Sequence, residues 1–256
     1  SSAAATALSL AFDSTGKAAL TNVNYTDAGA MTLNASYSGS TANNDSGLTL
    51  SGSDTFVSAP AGICIAPATT CSAGDASCPA FKRAGETFNV SLKPVAWESD
   101  SDTDLCTGNA VTPNFALSGI ALGSTLLAPS GGAAASLAVS RYDHVASASA
   151  TQTVSQSLSE VGVFRLTATP PTYLGVTIPA SQSAPVGRIT PYDFYLSGGA
   201  LTPACNADFS YMDQPFGVTY TLTARNSSGA TTTNYTGSFA KGTTALVAEN
   251  GDDGVD

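Results

Sequence analysis

The sequence predicts an all-β protein made of immunoglobulin-like β-sandwich modules in tandem, and three observations lead there. Two phrases each occur twice. DAGAMTLNA at 27–35 and EVGVFRLTA at 160–168 both read acidic-x-Gly-x-apolar-x-Leu-x-Ala. A turn glycine followed by period-two alternation is the signature of a strand with one buried face. FNVSLKPVA at 88–96 and FGVTYTLTA at 216–224 alternate in the same way, and each is followed downstream by Asn and an aromatic, Asn114-Phe115 and Asn234-Tyr235. The third observation is composition: only 11% of the residues are charged, against about a quarter in ordinary globular chains. Strand polarity is supplied by Ser and Thr hydroxyls, and no segment carries helical periodicity.

Taken in order, residues 7–57 hold the short alternating segments ALSLAF, KAALTNV, AMTLNASY and GLTLSG, separated by Gly, Asn and Asp turn clusters. They are expected to form a strand ladder, the C-terminal part of one unit (1–57). A complete sandwich is expected over 58–184: a cysteine-rich connection, the strand TFNVSLKPVAW, then PNFALSGIAL and VGVFRLTAT. Pro170-Pro171 and the following YLGVTIPASQSAP suit a linker or an edge strand. The last unit (185–256) opens at VGRITPYDFYL and continues through FSYMDQPF, GVTYTLTARN and TTTNYTGSFAK. Short strands with turns every 8 to 12 residues fit sandwiches of immunoglobulin type. The opening unit carries only the acidic-Gly phrase and the last unit only the Phe216 phrase, so each half lacks what the other has. A half-sandwich exposes an apolar face and an open edge. Its completion is expected from sequence outside this chain or from another copy of it.

A net charge of −10 with nine Lys and Arg argues against nucleic acid as a partner, because phosphate binding needs clustered cations. There is no run of 18 apolar residues and so no expected membrane span. SSAAATALSLAF lacks the basic region of a signal peptide, and the chain begins without Met and ends in GDDGVD. It reads as a piece of a longer precursor. Four of the five cysteines, Cys64, Cys71, Cys78 and Cys106, lie in Pro-, Gly-, Ser- and Thr-rich surroundings. These are expected to form two disulfides in an oxidising, extracellular compartment, with all three connectivities open. Zinc competes, but the close C-x2-C pairs and the histidine of structural zinc sites are missing. Cys205 is left over, either free or paired outside this sequence.

Chemistry, if the chain carries any, points to the acidic loop Glu98, Asp100, Asp102 and Asp104. Alternating carboxylates can converge on calcium, and Asp100, Asp102 and Asp104 are its candidate ligands. The pattern is not an EF-hand, since Leu105 and Cys106 stand where glycine and a later acid are needed. The bland alternative is a solvated loop. The loop also explains a length difference, for Phe88 and Asn114 lie 26 positions apart while Phe216 and Asn234 lie 18 apart. Asp252, Asp253 and Asp256 read as a terminus. Catalysis lacks its usual parts: His144, beside Tyr142 and Asp143, is the one histidine, and no G-x-S-x-G phrase accompanies it. It reads as a surface residue. Trp97, Tyr211, Met212, Phe216 and Tyr220 read as core and edge residues. Six N-x-S/T sequons begin at Asn24, Asn34, Asn44, Asn89, Asn226 and Asn234, of which Asn34 and Asn89 fit outward-facing strand positions.

Several long phrases occur in an order that resembles the MshQ-type proteins of MSHA (type IV) pilus systems. They are CPAFKRAGETFNVSLKPVAWESDSDTDLCTGNAVTPNFALSGIAL, SEVGVFRLTATPPTYLG, VGRITPYDFYL and CNADFSYMDQPFGVTYTLTARNSSGATTTNYTGSFAK. The similarity spans about residues 25–241. It implies a secreted bacterial surface protein associated with pilus biogenesis, whose shared domain has no established catalytic chemistry. Longer relatives carry a lectin-like N-terminal domain that nothing here matches. Three functions follow as expectations: a non-enzymatic structural or adhesive module whose partners are other surface or pilus proteins; a filament subunit assembled by β-strand complementation between copies; and a secreted carbohydrate-binding protein or hydrolase. No cofactor other than calcium is expected.

Overall fold

The structure, a computed structural model, describes residues 6–21, 23–206 and 208–245; the Asp252, Asp253 and Asp256 cluster lies outside them. Thirteen strands and one short 3₁₀ turn, Gly237–Phe239, make up the regular structure of the described residues. The all-β expectation holds.

The centre is a two-layer sandwich. One sheet is β3 (Gly62–Pro67), β5 (Phe88–Val95) and β8 (Gln152–Gln156), ordered β3-β5-β8 and antiparallel throughout. The other runs β4 (Ala80–Arg83), β11 (Val186–Thr190), β9 (Gly162–Thr169), β6 (Leu117–Ala128) and β7 (Arg141–His144), with the two-residue β10 (Ser181–Gln182) also on β9. Alternation decides which faces meet. Phe88, Val90 and Leu92 of β5 point inward with Ile63 and Ile65 of β3, and Ile120 of β6 with Phe164, Leu166 and Ala168 of β9 come from the opposite layer. Each fully buried Phe or Leu contributes about 1.5–3 kcal/mol of transfer free energy. Only the start of β9 is buried on both faces, because Val163 and the preceding Val161 pack on Phe239 in a second cluster with Ala76 and Cys78. That second cover comes from residues 226–241, which leave the sandwich and return to it.

The boundaries differ from those expected. Val186–Thr190, placed by the sequence in the last unit, pairs with β9 and β4 and closes the middle sandwich. Pro170-Pro171 opens the β9-to-β10 connection rather than a linker, and Tyr173 and Ile178 on it are buried in the core. ALSLAF, the described residues of KAALTNV, and FSYMDQPF form no strand, since alternation without a partner does not hold an extended segment.

Two hairpins project from the sandwich. β1 (Gly29–Ser38) pairs with β2 (Thr49–Ser58), and β12 (Asp193–Thr202) pairs with β13 (Gly217–Arg225) around a bulge at Gly198, whose φ is +65°. Each is a two-stranded sheet of its own. Each also carries a largely exposed apolar face among the described residues: Leu33, Tyr37, Leu50 and Phe56 on one, with Asp54 opposite Leu33 and Tyr25 against Phe56, and Leu196, Leu201, Val218 and Leu222 on the other, beside Phe194, which meets Tyr235.

Candidate functional site

The two repeated phrases meet. Asp27, just before β1, accepts the backbone N–H of Asn114 at 3.0 Å on one carboxylate oxygen and the Asn114 side-chain amide at 2.8 Å on the other. Its Oδ1 also takes the N–H of Ala28 at 2.7 Å. Glu160, just before β9, accepts the N–H of Asn234 at 3.2 Å and of Thr233 at 3.1 Å, and the N–H of Val161 at 2.8 Å. In both places an acidic residue holds the amides of an Asn-aromatic turn that lies 87 or 74 positions away. Bonds from N–H groups to a carboxylate are about twice as strong as neutral ones.

The likeness extends through the backbone. The residue after each acid is buried, Ala28 in the core with Phe115 and Val161 against Phe239. The glycine after that has φ +151° in Gly29 and +147° in Gly162, a conformation that L side chains rarely adopt. A Cβ on Gly162 would also lie 2.7 Å from the Ala128 carbonyl oxygen. The turns are fixed alike, by Thr112 N–H on Pro94 O at 3.1 Å and Thr232 N–H on Ala224 O at 2.9 Å. Ala224 therefore stands where Pro94 does, and β13 matches β5 with the Phe88 and Phe216 phrases displaced by two residues. A shift of two leaves every side chain on its face.

The second joint is the more deeply built. Asn234 is buried, its amide nitrogen donating to Val161 O and Ala133 O and its Oδ1 accepting from Ala133 N–H at 2.7 Å. Asn226 donates to Ser159 O at 3.1 Å. At the foot of β12–β13, Arg225 reaches Asp193 with two bonds of 3.0 and 2.8 Å, holding that carboxyl below its usual range. Arg83 lies 4.5 Å over the Tyr192 ring. At the first joint Asn114 is exposed, so the same clasp there works in water.

The residues singled out from sequence fall as follows. Cys64 is bonded to Cys106 and Cys71 to Cys78, and Cys205 is free among the described residues. Asp100, Asp102 and Asp104 share one loop but face separate partners. Asp100 takes the Trp97 indole N–H at 3.1 Å, Asp102 the Asn109 side-chain amide at 2.8 Å, and Asp104 the Cys106 N–H and the Thr107 hydroxyl. The Cys106 amide and then the Thr107 hydroxyl hold Asp104 below the ordinary carboxylate range. No group of three or more His, Cys, Asp or Glu is arranged to hold a metal ion among the described residues. Asp102 and Asp104 form one wall of an open groove of about 740 Å3 beside the Cys64–Cys106 disulfide, with Arg165 and Ser183 among its other lining residues.

Trp97 is 66% exposed rather than core, its ring lying along the acidic loop. Tyr211, Met212 and Phe216 are likewise exposed. His144 departs furthest from expectation. It is 2% exposed, its ring 5.6 Å from that of Phe115 and 6.0 Å from Tyr142, and neither ring nitrogen has a hydrogen-bond partner; nor has the Tyr142 hydroxyl. Sequence offered no signal for this beyond the alternation of Tyr142 and His144. Burial lowers its pKa, so the unfolded chain takes a proton that the folded one refuses. Stability is expected to be full above about pH 6.5 and to fall as the pH drops below it, well before the depressed carboxylates respond near pH 4. Urea midpoints between pH 8 and 5 should show the decline in the parent and lose it in His144→Phe; equal slopes in both would assign the decline elsewhere.

Neither a curated protein nor a solved structure matches the chain. Sequence models of three domains do match, in order: the first Ig-like domain of DUF6701, a domain of unknown function, over residues 1–53, its second domain over 59–155 and its third over 160–256. The last boundary falls between β8 and the clasp residue Glu160, so the sandwich of the second domain is closed by β9, β10 and β11 from the third. With models of three successive DUF6701 domains, the first of them Ig-like, matching in order along nearly the whole sequence, the chain belongs to the DUF6701 family.

Proposed function

We propose that the chain is a non-enzymatic structural and adhesive segment of a pilus-associated bacterial surface protein, acting outside the cell. The observation that carries this reading is the repeated joint. One carboxylate, one buried apolar residue and one glycine connect successive modules in the same way twice, as a chain of spacers requires. Two disulfides and a hydroxyl-rich surface suit an oxidising exterior. The only histidine is buried against Phe115 and Tyr142, which supports a non-enzymatic reading over one that uses it as a general base. Antibody raised against the purified chain should label intact cells, and labelling should fall when pili are absent. Labelling only after permeabilisation would end the proposal.

Calcium at Asp100, Asp102 and Asp104 is part of the same proposal, as a weak ligand that tightens the loop. The ion must displace Trp97, Asn109 and Thr107 from those oxygens, which sets the affinity low. Millimolar calcium should raise the melting temperature of the parent over chelator and leave the triple Asp→Asn variant unmoved. No shift in the parent would reduce the loop to a hydrogen-bonded turn.

A second reading, a filament subunit assembled by strand complementation between copies, is favoured by the largely exposed faces of β1–β2 and β12–β13.

A further inference from the structure

The middle sandwich states what covers what. Ile65 of β3, its ladder partner Leu92 of β5, and Leu166 of β9 line one apolar gap between the two sheets, of about 10 Å3. Position by position the hairpins reproduce these parts. With Ala224 in the place of Pro94, Leu222 takes the place of Leu92, and Leu196, opposite Leu222, that of Ile65. With Gly29 in the place of Gly162, Met31, Leu33 and Ala35 take the places of Phe164, Leu166 and Ala168. Among the described residues, β12–β13 is thus a β3–β5 pair without the cover that β9 supplies, and β1 is a β9 with no such pair beneath it. Leu33 is 48% exposed and Leu196 57%.

We propose that the β12–β13 face of one copy is closed by the β1–β2 hairpin of a second copy, Leu33 seating between Leu196 and Leu222. The proposal rests on the filament reading above and names its interface. The two surfaces are different, so the contact is heterologous: each copy offers one of each and pairing can continue head to tail. Burying both apolar faces supplies the drive, and fixed period-two register supplies the specificity. The clasps do not compete, since Asp27 and Glu160 are satisfied within their own chain.

Sedimentation velocity of the whole chain over a concentration series tests it, beside Leu33→Asp and Leu196→Asp, both at exposed positions. The parent should form oligomers that grow with concentration. Each variant alone should remain monomeric, and an equimolar mixture should give a heterodimer and nothing larger, because Leu33→Asp keeps a sound β12–β13 and Leu196→Asp a sound β1–β2. That recovery also shows both variants to be folded. A parent that stays monomeric at its highest soluble concentration overturns the proposal, as does a Leu33→Asp chain that still self-associates, which would mean that like faces pair. Surface labelling of cells is independent of either result, so failure here leaves the surface-module reading to be judged on its own.

Discussion

Glu160→Ala is expected to lower the stability of the chain by about 3 kcal/mol. The substitution takes the acceptor from the N–H groups of Val161, Thr233 and Asn234 at once, and a bond to a charged partner is worth about 1.5–3 kcal/mol, part of which entering water returns. Glu160→Gln should fall between parent and alanine: one carbonyl oxygen still accepts, but the new amide turns a donor toward donors. Asp27→Ala, at a joint where Asn114 is exposed, should cost only about 1 kcal/mol. Urea unfolding reads all three. Equal losses at both sites would mean that burial does not set the strength of the clasp.

Removal of the Cys64–Cys106 crosslink ranks beside it. The bond closes a loop with a sequence separation of 42, and Cys71–Cys78 one of 7. If the stabilisation comes from restricting the unfolded chain, the first contributes about 4 kcal/mol and the second about 2.5 kcal/mol. The paired Cys→Ala variants, compared with the parent by denaturant melting, should keep that order. Cys78 is also packed against Phe239, so its replacement adds some loss of contact. A larger effect at Cys71–Cys78 would show that packing, not chain restriction, governs both.

How much was legible follows from what each signal depends on. Period-two alternation is local, so β1, β5, β9 and β13 stand in the sequence where the phrases place them. The glycines and acids of the phrases stood out too, yet their role did not. That Asp27 and Glu160 hold Asn114 and Asn234 depends on chain reversals of 87 and 74 residues, which no local pattern encodes. The same limit moved Val186–Thr190 into the middle sandwich: VGRIT alternates well in either unit, and only pairing to β9 and β4 decides. His144 was read as surface because a histidine more often is, whereas β7 turns it with Tyr142 onto Phe115. Trp97 shows the reverse error, a large apolar ring left outside because β5 ends at Val95. The exposed hairpin faces lie in the two units whose phrases are incomplete, although the last hairpin begins only after Thr190.

Residue-resolved amide exchange on the native chain tests the shared joint most directly. The amides of Thr233 and Asn234 should be strongly protected and that of Asn114 measurably so, and Glu160→Ala should free the first two while leaving Asn114 and the ladder of β3 and β5 unchanged. Thr233 and Asn234 exchanging at the rate of open loop in the parent would contradict the clasp, and with it the claim that one joint links these modules twice.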